Sequence, residues 1–218
     1  YHDFLTSPDY IVSAAGEVSL SVDHRHAFEG AMWDAGQLWI SVNGGAYADV
    51  GKDAFTANGY TDVAIIGNGI AKGQNGFGNT SAGHADGSYI TTTANLGSFA
   101  AGDAISVRFV ALYDDCATGA KPNWVIDKVA FFSGDVRYVP AIYDFSSDDE
   151  GFTVETVGAV PGPWEYNEDN GQWVSQGSVA GCGGPYHDFL SSPDCIVSAA
   201  GEVTVSVDHR HAFEGGMW

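Results

Sequence analysis

Basic side chains are scarce in this chain of 218 residues. Eight Lys and Arg stand against 28 Asp and Glu, a formal charge of −20 with histidines neutral. Affinity for nucleic acid comes largely from Lys and Arg neutralising phosphates, so this balance excludes a DNA- or RNA-binding role and disfavours anionic lipid. Long apolar runs are also missing: no stretch approaches the roughly 18–20 residues needed to span a bilayer as a helix, and membrane insertion is not expected. Cysteine is limited to Cys116, Cys182 and Cys195. Neither CxxC nor a Cys/His zinc spacing occurs, and the sequence leaves both Cys116–Cys182 and Cys182–Cys195 open as pairings. Signatures of catalysis are absent too: there is no GxSxG turn, no HExxH pair, no P-loop and no GxGxxG between a strand and a helix. Acid pairs abound in so acidic a chain, which makes any one of them uninformative as a glycosidase signature. No enzyme activity is expected.

What the chain does have is one stretch twice. Residues 1–33, YHDFLTSPDYIVSAAGEVSLSVDHRHAFEGAMW, return 185 positions later as residues 186–218. The copies differ only at Thr6/Ser191, Tyr10/Cys195, Ser19/Thr204, Leu20/Val205 and Ala31/Gly216, and agree at the other 28 of 33 positions. Such a repeat reads as a window on a longer array of modules of about 185 residues. Residues 1–138 are then the larger, C-terminal part of one repeat and 139–218 the N-terminal part of the next, with the junction near 133–141. The junction holds no Gly/Ser tract, which favours a semi-rigid joint.

Helix signals are nearly absent, whereas strand signals recur between Gly, Asn, Asp and Pro. From Glu17 to His26, Val18, Leu20, Val22, His24 and His26 alternate with Ser19, Ser21, Asp23 and Arg25, the period of a strand with one buried face. Leu38, Ile40 and Val42 alternate with Gln37, Trp39 and Ser41, and Asn43-Gly44 follows as a tight-hairpin signal. The segments 105–112 and 124–132 are apolar on both faces and read as central strands covered on each side. Residues 67–87, rich in Gly and polar side chains, read as a long loop. Many short strands with regular turn signals give an all-β fold, an antiparallel two-sheet β-sandwich of the jelly-roll kind. Half a sandwich exposes strand edges, so 139–218 needs another copy or the continuing chain to complete it.

Together, SVDHRHAFEGAMWDAG, the strand and hairpin LWISVNGG, the Phe77-Gly78 to Ser81 loop and NWVIDKVAFF resemble the MAM-like and immune-inhibitor-A-like jelly-roll modules of secreted bacterial proteins. YDFSSDDEGFTVE is similar to their first strand, which commonly reads Asp-Phe-Glu; Ser146 stands at the Glu position. The resemblance implies an extracellular or cell-surface sandwich used for adhesion, glycan binding or spacing, often with a structural calcium.

Several residues are candidates for chemistry. His24 and His26 share a strand face, a spacing that can hold a transition metal; the other reading is that they finish a buried strand and hydrogen-bond locally. Glu29, Asp34 and Asp127 are the better candidates for calcium, which takes carboxylate and carbonyl oxygens from loops. Trp39, Trp164 and Trp173 are candidate platforms for sugar rings, and Asn79 heads the one N-x-S/T sequon. Near-identical copies point first to a structural, fibre- or stalk-forming role in which further copies of the repeat are the partners. A carbohydrate-binding or adhesive module, with the 67–87 loop and the tryptophans as its surface, is the alternative.

Overall fold

The computed structural model describes residues 2–115, 117, 119–133, 141–157 and 162–177. All of them belong to one compact unit, Tyr1–Asp188. They form strands β1 (His2–Thr6), β2 (Tyr10–Ile11), β3 (Gly16–His26), β4 (Ala35–Val42), β5 (Ala48–Asp49), β6 (Phe55–Ala57), β7 (Ile90–Phe99), β8 (Ala104–Leu112), β9 (Trp124–Ser133), β10 (Ala141–Tyr143), β11 (Thr153–Val157), β12 (Gly162–Asn167) and β13 (Gln172–Gly177). Short 3-10 turns at Gly30–Met32, Lys52–Ala54 and His84–Asp86 are the only helical pieces among the described residues. No helix there is long and apolar enough to cross a membrane.

The fold is all-β, two antiparallel sheets facing each other as a β-sandwich. One sheet runs β11-β1-β8-β4-β5, with β2 also on β8; the other runs β12-β13-β9-β3-β7-β6, with β10 also on β9. Alternation decides which side chains meet between them. On β3, Val18, Leu20, Val22, His24 and His26 are buried while their neighbours face outward, as the period-2 pattern requires. A one-residue slip would expose all five, so burial fixes the register.

The two strands that are apolar on both faces achieve this differently. Ile105, Val107, Phe109 and Ala111 of β8 enter the main core, whereas Val110 and Leu112 lie under a second cluster made by Phe4, Met32, Ala35, Ile65 and Ala71. The loop before β7 therefore covers the outer face of this sheet. On β9 a bulge accounts for the pattern: Asp23 pairs with Lys128 and His24 with Ile126, so Asp127 is the extra residue. The phase shift turns Trp124 and Ile126 inward on one side of Asp127 and Val129 and Phe131 inward on the other.

Asn43 and Gly44 both take positive φ, 52° and 70°, and the Gly45 N–H donates to the Val42 carbonyl at 3.0 Å. This is the mirror-image turn that suits a twisted hairpin. Residues beyond 140 complete the sandwich around 2–133 of the same chain. β10 and β13 pair with β9, β11 pairs with β1, and Phe145, Phe152, Trp164 and Trp173 join the main core. The expected junction at 133–141 falls largely on residues outside those described.

Ala31 sits at φ 60°, in the left-handed region that costs a residue with a Cβ about 1–2 kcal/mol. The other copy of the repeat carries Gly216 at the corresponding position. Ala31→Gly should relieve the strain at the expense of a more flexible unfolded chain, a net gain of about 0.5–1 kcal/mol. Thermal unfolding should show the midpoint raised by about 1–4 °C.

Candidate functional site

Trp124 is fully buried at the start of β9, and its N–H donates to His24 Nδ1 at 3.0 Å. That bond leaves the proton on His24 Nε2, which donates to Thr92 Oγ1 at 2.7 Å; the Thr92 hydroxyl in turn donates to the Asn58 carbonyl at 2.7 Å. Each polar atom of this buried relay has one partner of the right kind, which avoids the penalty of about 1–3 kcal/mol for an orphaned group. Both ring nitrogens of His24 are thereby engaged, so it offers no lone pair to a transition metal. His26 stacks on His24 with ring centroids 5.5 Å apart. Burial holds His24 well below the ordinary imidazole range and brings His26 down to about 4. His24 is thus committed to local hydrogen bonds, as the strand-finishing reading has it, and is not available to a metal shared with His26, whose Nδ1 is buried without a partner.

Carboxylates gather instead where the 3-10 turn after β3 meets the segment after β8. Glu29, Asp114 and Asp115 each place an oxygen within 4.8 Å of the others. Asp34 is 0% exposed; its Oδ1 accepts the Asp114 N–H at 3.1 Å, while its Oδ2 and the Asp114 Oδ1 are buried without a hydrogen-bond donor. Burial pushes the Asp34 carboxyl up to about 7, with the charges of Glu29, Asp114 and Asp115 adding to the shift. Glu29 and Asp114 are raised by burial and by their acidic neighbours in the same way. Buried carboxylate oxygens lacking donors are what a hard cation satisfies, and carboxylates from two loops are the donor set that calcium takes. Asp127 is not part of the group: it lies at the β9 bulge, where Gln172 Nε2 donates to its Oδ1 at 2.8 Å. Asp114 and Asp115 escaped the sequence reading because their approach to Glu29 depends on β8 ending beside β4, a long-range pairing of Ala35 with Leu112.

Buried titratable groups act on stability in opposite senses. His24 and His26, with lowered values, contribute stability that rises with pH up to about 6.5. Asp3, fully buried on β1 and pushed up to about 7 by burial, and Asp34 hold their protons more tightly in the fold. Their contribution falls as pH rises from the ordinary carboxylate range to about 7.

The tryptophans divide. Trp164 and Trp173 are 3% and 5% exposed and fill the core, Trp164 lying 5.6 Å from Trp124, so neither offers a face to a sugar. Trp39 is half-buried against Phe4, and its N–H donates to Gln37 Oε1 at 2.9 Å. Nor is the 67–87 loop a loose binding arm: Phe77 enters the main core, Ala71 roofs the outer cluster, and Gly36 and Phe77 exchange backbone hydrogen bonds at 2.8 and 2.7 Å. Within it Asn79 is exposed, at φ 56°, and its carbonyl accepts the Phe28 N–H at 2.8 Å. Cys116, Cys182 and Cys195 lie outside the described residues.

A groove of about 830 Å³ runs over the outer face of the second sheet, lined by Glu17, Ser19, Ser21, Thr56, Thr93, Asn95 and Phe132. Phe132 is 42% exposed there. Its signal in the sequence is the polar phase of β3, Ser19 and Ser21, which periodicity alone marks only as a solvated face. No protein-family model and no curated protein sequence matches the chain.

Proposed function

We propose that this chain is a non-catalytic building block of an extracellular tandem-repeat fibre or stalk, of the kind its resemblance to secreted bacterial jelly-roll modules implies. The observation that carries the reading is the 28-in-33 identity between 1–33 and 186–218. Modules that present one interface to like neighbours have reason to stay alike, whereas a specific binding or catalytic unit usually occurs once. The acidic surface keeps such a polymer soluble. Electron microscopy of purified material should show filaments with a regular rise of one module; monodisperse particles only would count against the fibre.

In this reading Glu29, Asp34, Asp114 and Asp115 hold a structural calcium that pins the turn after β3 to the end of β8. The ion replaces the proton that Asp34 otherwise retains up to about pH 7, so calcium should stabilise the fold more at pH 7.5 than at pH 5. Thermal unfolding with millimolar calcium against chelator should show a rise in midpoint that Asp34→Asn removes and Asp127→Asn leaves intact. An equal rise in all three proteins would sink the assignment.

A second reading, glycan adhesion, is favoured by one feature. The groove over the second sheet joins serine, threonine and asparagine side chains with the exposed ring of Phe132, a combination suited to a neutral sugar.

A further inference from the structure

The residues that close the sandwich behave as a clasp across its two sheets. β10 and β13 are hydrogen-bonded to β9 in one sheet, and β11 to β1 in the other. Five consecutive pairs join His2–Thr6 to Thr153–Val157. Phe145, Phe152, Trp164 and Trp173 then carry the clasp into the common core, and Tyr113 and Ser175 share a buried hydroxyl contact at 2.8 Å. Removing these four aromatic side chains from water is a large share of what holds the two parts together.

The receiving strand is not unique in the sequence. β1 reads HDFLT and lies 147 residues before β11, while HDFLS recurs at 187–191, 30 residues after it. The order along the polymer is therefore acceptor, clasp, acceptor. Nothing in the chemistry of the β1 pairing tells one acceptor from another, because the residues that meet β11 are the same apart from Thr6/Ser191. Only chain connection and local concentration choose between them. Closure onto residues 2–133 of the same chain and closure onto those of another copy make the same contacts. In the fibre reading, acceptors strung along neighbouring arrays raise the local concentration of rivals to self-closure.

We propose that residues 141–177 are an exchangeable clasp, and that two copies of this chain join when the clasp of one completes residues 2–133 of the other. This deepens the fibre reading, resting on the same repeat, by naming the joint.

Full-length chains test it, with Cys116, Cys182 and Cys195 replaced by serine. One population carries Thr6→Cys and the other Thr153→Cys, positions directly opposite in the β1–β11 register. The two are unfolded together, refolded and oxidised, and the disulfides are mapped by mass spectrometry. A chain closed only on itself cannot form the mixed disulfide. Exchange should give it, about tenfold more at millimolar than at hundred-micromolar chain or below. Its absence, while a single chain carrying both substitutions closes fully, would overturn the proposal. Should that double variant not close, sedimentation of the unsubstituted chain refolded at high concentration decides: a dimer that survives dilution supports exchange, and monomer alone overturns it. Filaments without the mixed disulfide would leave the fibre standing and remove the clasp as its joint. Mixed-disulfide dimers that never lengthen would do the reverse.

Discussion

The packing around Trp124 is the constraint on which the rest of this fold depends. Its indole meets Phe109 of the opposite sheet at 5.8 Å, Phe77 of the long loop at 5.7 Å, Phe28 at 5.6 Å and Trp164 of the closing segment at 5.6 Å. Four elements distant in sequence are thus in register with one ring. The ring also presses on the backbone of β4: a Cβ at Gly36 would stand 2.7 Å from it, so only glycine lets the two sheets approach this closely. Through its N–H the same side chain sets the tautomer of His24, which ties the core to Thr92 on β7 and to the Asn58 carbonyl. Aromatic edge-to-face contacts of this kind add about 0.5–1.5 kcal/mol each to the burial itself.

Much of this was legible in the residues. The alternation of β3, the Asn43-Gly44 turn and the double-faced character of β8 follow from period and turn chemistry, and together they give the two-sheet sandwich. Three things were not legible, for one shared reason. The β9 bulge at Asp127, the approach of Asp114 and Asp115 to Glu29, and the burial of Trp164 and Trp173 all depend on which distant strands pair, and local pattern carries no information on that. A tryptophan reads the same in a sequence whether it faces a sugar or another tryptophan. The 67–87 segment shows the converse: its glycines and polar residues read as an open loop, yet a few apolar positions, Ala71 and Phe77, anchor it as a structural layer.

Charge in this molecule is managed by location. Among the described residues most acidic side chains are at the surface, where they are solvated, while in the interior burial disfavours the charged forms of His24, His26, Asp3 and Asp34. Their contributions to stability change with pH in opposite directions. A cation at the Glu29 and Asp34 cluster would change that balance locally, because it substitutes for protons that the fold otherwise retains.

The sandwich is accordingly one cooperative body whose core is shared between residues 2–133 and 141–177. Native-state hydrogen exchange tests this most directly. Core amides of β9, of β1 and of the β13 strand paired with β9 should open with one common free energy, equal to that of global unfolding. Protection of β13 several kcal/mol below that of β3 and β9 would contradict it, by making the closing segment an appendage on a body that stands without it.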